Sequence, residues 1–389
     1  MQNHDIVYLI FLIFTGAAII ATVALYARQA LLVAYIALGI IFGPYSLQLI
    51  SDPAIIADIS NVGIIFLLFL LGLNLEPADL GRLMREATVV TLTTSICFFA
   101  LGFSIGLLAQ FTTMDACIIG VCLMFSSTII GLKLLPTTAL HHQRMGEVIV
   151  SILLLQDIIA VIVLLALQGA GHESTSTFNL LQPLLGLPAI AIASHMFAKI
   201  VITKLLATFD RIQEYIFLVA IGWCLGIAEL AQVMGLSHEI GAFIAGVSLA
   251  TNPVSRYIAE ALKPLRDFFL IMFFFTLGAG LNLPILGDVI WAALALALGS
   301  LLIKPIIFYL ILRREKERAS LAKETGVRLG QISEFSLLIV IVASEVALLS
   351  NKASNLVQVA TILTFIASSY WIVLRYPTPI AVDEKLRRD

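Results

Sequence analysis

The sequence predicts an all-α polytopic membrane protein with about 13 transmembrane helices in two inverted-topology repeats, which contain two crossed broken helices. Three observations predict this fold class. The 389 residues are 60% hydrophobic and only 12% charged, whereas soluble domains carry about 25% charged residues. The Lys and Arg residues are concentrated in alternate connections between apolar runs. Similar motifs also recur at a spacing of roughly half the chain.

Apolar runs separated by polar residues divide the chain into thirteen predicted spans. They cover residues 6–26, 30–50, 59–75, 87–110, 114–136, 146–168, 183–206, 213–233, 236–252, 264–281, 285–312, 326–349 and 354–376. Of the 23 Lys and Arg residues, 21 then fall on one side of the membrane, which the positive-inside rule identifies as the cytoplasm. We therefore predict an inner-membrane protein with its N-terminus outside and its C-terminus in the cytoplasm.

The composition also limits the partners and the chemistry. The formal net charge of −2 gives no indication of a nucleic-acid partner. The four cysteines all fall in apolar runs, and their spacing indicates neither a disulfide framework nor a metal site. No nucleophile–base pair that would indicate an enzyme can be recognised, and no resident cofactor is expected.

Two sequence motifs occur twice. The sequence GLNLEP at 72–77 resembles GLNLP at 280–284, and the segment 36–47 resembles 240–249. The matching spans are seven apart, an odd number, so the two copies point in opposite directions, as in secondary transporters whose substrate site lies where the halves meet. We expect repeat one at 6–168, a linking helix at 183–206, repeat two at 213–376 and a short cytoplasmic tail at 377–389. Chance similarity between glycine-containing apolar helices is the alternative.

Asp157 lies at the middle of the apolar segment 148–167, directly after Gln156. An ionised aspartate at membrane depth costs at least about 2.5–3.5 kcal/mol, so such a residue usually faces a watery cavity and has a function. We predict that Asp157 binds a positively charged species. The alternative is a protonated aspartate that only packs two helices.

Hydroxyl and glycine residues indicate a helix break in each repeat. The fifth span contains FSSTIIG at 125–131 and the twelfth contains GQISEFS at 330–336, with Ser126 and Ser333 separated by 207 residues (333 − 126). Ser, Thr and Gly tolerate backbone groups that leave the helical hydrogen-bond ladder. Hydrogen bonding between intact helices is the alternative for such residues.

Two further ionisable residues lie near these breaks. Glu334 is inside the second break, and Lys304 is the only basic residue deep within a predicted span. An unpaired lysine at that depth is costly, so we expect it to have a carboxylate or carbonyl partner. Snorkelling of the side chain to the interface is the alternative.

Taken together, these residues resemble the membrane domain of the monovalent cation:proton antiporter-2 family, and within it the Kef-type potassium efflux systems. The resemblance rests on the thirteen spans, the Gln156–Asp157 pair, the two breaks and Lys304, and it covers residues 6–376. It implies a core domain that holds the broken helices, a separate dimerisation domain, elevator-type alternating access and a homodimer.

The resemblance also implies a mechanism for antiport of a monovalent cation and a proton. Asp157 would bind either the cation or the proton, assisted by the side chains or carbonyls of Gln156, Ser126, Ser127 and Thr128. Lys304 and Glu334 would set the electrostatics of the site, and either Asp157 or Glu334 would neutralise Lys304.

The motif position now occupied by Gln156 bears on the stoichiometry. Electrogenic sodium/proton members of the resembled family have a second aspartate there, whereas this chain keeps one titratable carboxyl in the motif. We therefore expect electrically neutral exchange. K+ as the cation rests on the family resemblance alone. Na+/H+ antiport is the alternative, and an uncoupled cation channel or a membrane sensor is a more distant one.

One family feature is not carried over. Kef-type proteins continue into a cytoplasmic nucleotide-binding regulatory domain, but this chain ends at Asp389 without a GxGxxG motif that follows a strand. We expect a member without that module, or one whose regulatory domain is a separate chain or lies outside this sequence.

Overall fold

The computed structural model describes residues 6–27, 29, 31–50, 54–73, 77–133, 144–170, 177–209, 212–234, 236, 238–250 and 255–378. Within these residues, seven helices are long and apolar enough to cross a membrane, and four shorter apolar helices accompany them. The all-helical membrane fold expected from the sequence is therefore confirmed. Two calculated spacings cannot be compared, because the Asn74–Glu76 part of the repeated motif and the tail at 379–389 lie outside the described residues.

The helices follow one another along the whole chain. The first six are α1 (Ile6–Tyr26), α2 (Leu31–Phe42), α3 (Ala54–Leu73), α4 (Pro77–Leu108), α5 (Thr113–Met124) and α6 (Thr128–Lys133). The next four are α7 (Arg144–Ala170), α8 (Thr177–Phe197), α9 (Thr203–Thr208) and α10 (Gln213–Val233), with a π-helical turn (Ala198–Ile202) between α8 and α9. The remaining helices are α11 (His238–Ala250), α12 (Ser255–Ala261), α13 (Lys263–Ala279), α14 (Leu286–Arg314), α15 (Ala319–Arg328), α16 (Glu334–Glu345) and α17 (Asn351–Arg375).

Two predicted spans differ from the helices that form. The second span was expected to reach residue 50, but α2 ends at Phe42 because the Gly43-Pro44 sequence disfavours further helix. The twelfth was expected at 326–349 and is instead two helices, α15 and α16, separated by residues 329–333. Hydropathy assigned α15 to a cytoplasmic connection because it carries Lys323, Glu324 and Arg328.

The chain forms two compact units. Unit 1 comprises Met1–Phe14, Ile41–Gly81 and His172–Gly280, and unit 2 comprises Thr15–Ile40, Arg82–Gly171 and Leu281–Asp389. All of the ionisable and polar residues that the sequence singles out as candidate site residues belong to unit 2. Unit 2 is therefore the part of the fold that positions the site.

Unit 1 is built around a close crossing of α3 and α11. A Cβ atom added to Gly246 would lie 2.2 Å from the carbonyl oxygen of Phe69, and one added to Gly72 would lie 2.5 Å from that of Phe243. Small residues allow helix backbones to approach closely in membranes, where dispersion contacts replace the hydrophobic effect between helices. On the same helix, the ring of Phe66 stacks on Phe269 of α13.

This crossing predicts a specific sensitivity. Replacement of Gly246 by Ala should destabilise the protein by about 1–3 kcal/mol, because overpacking forces two backbones apart. The measurement is thermal unfolding in detergent. The matched control is Gly222→Ala on α10, where an added Cβ atom would meet nothing within 4 Å. Equal unfolding midpoints for the two variants would contradict the close crossing.

Unit 2 has a core that joins four helices. Phe98 of α4 packs edge-to-face against Phe308 of α14, with ring centroids 5.1 Å apart. Ile149 and Ile152 of α7 and Leu329, next to the end of α15, belong to the same buried cluster. This core holds α7 and α14, which carry candidate site residues, beside both breaks.

Candidate functional site at two broken helices

The first break separates α5 from α6. Residues 125–127 leave the helix, and Phe125 has an extended backbone. Gln156 of α7 satisfies the freed backbone on both sides: its Oε1 accepts from the Ser126 N–H at 3.0 Å, and its Nε2 donates to the Met124 carbonyl at 3.2 Å. The Ser127 hydroxyl accepts from a backbone N–H of α6 at 3.2 Å, as a helix cap does.

The second break separates α15 from α16 and is stabilised in the same way. Ser333 caps α16, since its hydroxyl accepts from the Phe335 N–H at 3.1 Å. Three side chains from other elements pair with backbone groups of the break: Ser300 Oγ donates to the Gly330 carbonyl (2.7 Å), Ser126 Oγ donates to the Leu329 carbonyl (2.8 Å), and Thr364 Oγ1 accepts from the Ile332 N–H (3.2 Å). Hydroxyl groups therefore supply the partners that the helical ladder loses.

Arg328 anchors the end of α15 just before this break. Its guanidinium is fully buried, and it donates to the Glu324 carboxylate at 2.8 Å and to the Pro377 carbonyl at 2.8 Å. The ring of Tyr376 lies 5.7 Å from the guanidinium carbon. The chain that follows α17 is thus tied to the helix that leads into the second break.

The two breaks are equivalent in position and meet at their helix starts. α6 begins at Thr128 and α16 begins at Glu334, a spacing of 206 residues (334 − 128). The Thr128 hydroxyl donates a hydrogen bond to the Glu334 carboxylate. The sequence paired Ser126 with Ser333, but the residue that precedes α6 as Ser333 precedes α16 is Ser127, one position further on.

The broken helices also cross. Ser336 of α16 donates from its hydroxyl to the Cys122 carbonyl of α5 at 2.6 Å. Near the start of α5, the buried Asp115 accepts from the Ser350 N–H at 2.8 Å and from its hydroxyl at 3.0 Å. The crossing of two interrupted helices, expected from the sequence, is therefore present within unit 2.

Lys304 holds the two breaks together. Its side chain is 0% exposed, and Nζ donates to the carbonyls of Phe125 at 2.9 Å and Gln331 at 3.0 Å. These two carbonyls occupy matching positions in the breaks, 206 residues apart (331 − 125). The ring centroid of Phe98 lies 4.8 Å from Nζ, a cation–π distance.

This environment answers the question of the partner of Lys304. Its hydrogen-bond partners are backbone carbonyls, one of the two kinds of partner expected, and neither Asp157 nor Glu334 pairs with it. The snorkelling alternative is wrong, since the ammonium group lies inside the protein.

Asp157 of α7 is 5% exposed and interacts electrostatically with Glu334. Within the described part of the chain, no group donates a hydrogen bond to its carboxyl. Its neighbour in sequence, Gln156, has both amide atoms engaged by the first break. The carboxyl of Asp157 is thus the candidate group that keeps its binding capacity for a cation or a proton.

The structure groups the predicted residues into two sets. Thr128, Glu334 and Asp157 form a polar cluster at the starts of α6 and α16. Gln156, Ser126, Ser127 and Lys304 bind backbone groups of the breaks. Sequence analysis missed Gln331 and Ser368, although Gln331 lies within the segment identified as the second break.

Two interrupted helices that cross at buried carboxyls, in an all-helical membrane fold, define a secondary transporter rather than an enzyme. A family model described as "Sodium/hydrogen exchanger, transmembrane" matches residues 10–374. The chain therefore belongs to the sodium/hydrogen exchanger family, whose members are membrane cation/proton antiporters. The match supports this wider class of antiporter and gives no support to the Kef-type subfamily in particular.

A solved structure shows the same fold. The chain is similar to the sodium proton antiporter MjNhaP1 from Methanocaldococcus jannaschii, determined at pH 8, with 18% sequence identity and a TM-score of 0.72. The likeness covers 94% of this chain and 95% of that chain. The sodium/proton-antiporter-like fold expected from the sequence is thereby confirmed.

Proposed function

We propose that this protein exchanges one monovalent cation for one proton and that the Asp157 carboxyl binds either of them, never both. The observation that carries this proposal is the position of that carboxyl. It is buried at the crossing of two broken helices, it interacts with the Glu334 carboxyl, and no described group hydrogen-bonds to it. Protonation of Asp157 would release the cation, and cation binding would release the proton.

The contacts of Lys304 support electrically neutral exchange. An ammonium group paired with Asp157 would have to be displaced by the arriving cation, which would add a second charge movement to each cycle. Here Lys304 donates to two carbonyls instead. The formal charges of Asp157, Glu334 and Lys304 sum to −1 (−2 + 1), which one proton or one monovalent cation neutralises.

Na+ is the first candidate cation, because the chain belongs to the sodium/hydrogen exchanger family. K+ is the second, since the Gln156–Asp157 pair and Lys304 resemble the Kef-type systems. Both ions favour oxygen ligands, and the hydroxyl of Thr128 and the carboxyls of Asp157 and Glu334 supply them. The remaining ligands would come from carbonyls of the breaks or from water.

Further parts of the proposal follow from the resemblance. They are the division into two inverted repeats, an elevator-type alternating access, a homodimer and an inner-membrane location with the N-terminus outside. The equal 206-residue spacings of the helix starts and of the Lys304-bound carbonyls support the repeat division.

The proposal is tested with purified protein in liposomes loaded with a pH dye. Pulses of Na+, K+ and choline are compared while the membrane potential is clamped. We expect a Na+-dependent pH change that persists under the clamp and is absent with choline. The same signal with K+ alone would move the assignment to the second candidate. A rate that varies with an imposed potential would exclude one-for-one exchange, and the absence of proton flux with any cation in folded, inserted protein would refute antiport.

A further inference from the structure

Gln331 lies in the second break, and its side chain reaches the first. The residue is 0% exposed, its Nε2 donates to the Ser127 carbonyl at 3.4 Å, and its Oε1 accepts from the Ser368 hydroxyl of α17 at 3.2 Å. Its own backbone carbonyl accepts from Lys304 Nζ. One residue therefore connects both breaks, α14 and α17.

An amide is the side chain that these surroundings require. It offers a donor to the Ser127 carbonyl and an acceptor to the Ser368 hydroxyl at the same time. A carboxylate of the same length could accept from Ser368 but would place a negative oxygen against the Ser127 carbonyl. An apolar side chain would leave both partners buried without a hydrogen bond, which costs about 1–3 kcal/mol per group.

The side-chain link of Gln331 is close to the polar cluster in sequence on both sides. Ser127 immediately precedes Thr128, and Gln331 precedes Glu334 by three residues. Thr128 and Glu334 are hydrogen-bonded to each other across the breaks. A change in the distance between Ser127 and Gln331 would therefore move the two oxygen-bearing side chains that face Asp157 relative to one another.

We propose that Gln331 is a positioning residue that sets the separation of the two breaks and thereby the preference of the site among monovalent cations of different size. This inference rests on the proposed cation site at Asp157. Gln331 does not touch the cation; it acts through the first break and the Thr128–Glu334 pair. Selectivity is a difference between two affinities, so a small change in the spacing of ligands alters it.

Ser300→Ala is the matched control. The Ser300 hydroxyl also binds a backbone carbonyl of the second break, that of Gly330, at 2.7 Å, but it comes from α14 and does not reach the first break. Its removal should weaken the packing of the break without changing the distance between breaks. A purely structural role for Gln331 predicts the same behaviour for both variants.

The experiment compares Gln331→Met with Ser300→Ala in liposomes, using Na+, Li+ and K+ as the transported ions. For Gln331→Met we expect the ratios of apparent KM between these ions to change by about fivefold or more, equal to about 1 kcal/mol. The maximal rate should change less than these ratios. For Ser300→Ala the ratios should stay within about twofold of the wild type, whereas thermal unfolding in detergent should shift in both variants.

Two further measurements keep the outcome decisive. If Gln331→Met does not fold, Ser368→Ala replaces it, since that change deprives Gln331 of one partner and should shift the same ratios in the same sense to a smaller extent. Unchanged ratios in a folded variant, or an equal shift in Ser300→Ala, would overturn the positioning role. Failure of the proposed function gives a different result, namely exchange that survives in Asp157→Asn, whatever the ratios in the Gln331 variant.

Discussion

Asp157→Asn should reduce cation-coupled proton movement by at least about a hundredfold. The amide has nearly the same shape as the carboxyl, but it neither binds a proton reversibly nor offers a negative charge to a cation. Loss of one partner of a buried charge pair costs about 3–5 kcal/mol, which corresponds to more than a hundredfold in binding. The measurement is the rate of dye-reported pH change after Na+ and K+ pulses, at equal amounts of inserted protein.

Asp115→Asn provides the matched control for this prediction. Asp115 is also a buried aspartate of unit 2, at 4% exposure, but its carboxylate accepts two hydrogen bonds from Ser350 at the start of α17. We expect lower thermal stability with exchange retained. Exchange at the wild-type rate in Asp157→Asn would exclude Asp157 as the shared site. Equal loss in both variants would show that any buried aspartate of this unit is needed for folding.

Lys304→Met should destabilise the protein by about 2–4 kcal/mol and strongly reduce transport. The change leaves the carbonyls of Phe125 and Gln331 buried without their donor, at about 1–3 kcal/mol each, although it also removes the cost of burying an ammonium group. Without this link the two breaks lose their common anchor. The stability measurement is the midpoint of thermal unfolding in detergent.

Lys304→Gln separates the link from the charge. Its amide can still donate hydrogen bonds towards the breaks but carries no charge, so it should retain more stability than Lys304→Met. Residual exchange in either variant should remain independent of an imposed membrane potential, because Lys304 contacts carbonyls rather than Asp157. Potential-dependent exchange in the wild type that becomes independent of potential in Lys304→Gln would show instead that Lys304 carries charge in the transport cycle.

Much of the fold could be predicted from local sequence. The helices α1 and α10 have the bounds that their apolar runs indicate, at Ile6–Tyr26 and Gln213–Val233. The half-helix α15 could not be found in this way, because its charged residues give it a polar composition although it leads directly into the second break. Hydropathy measures the preference for lipid, whereas α15 is positioned by contacts such as that of Arg328 with Pro377.

The sequence by itself determined which residues need an explanation. A charge in an apolar run is costly in a membrane, so Asp157, Lys304 and Glu334 stand out without any structure. Their partners were decided only by the tertiary structure. Lys304 binds carbonyls that are 179 and 27 residues away in the chain, and Thr128 meets Glu334 across 206 residues. Every residue has a backbone carbonyl, so only the folding that unwinds two helices side by side reveals which carbonyls are free to accept.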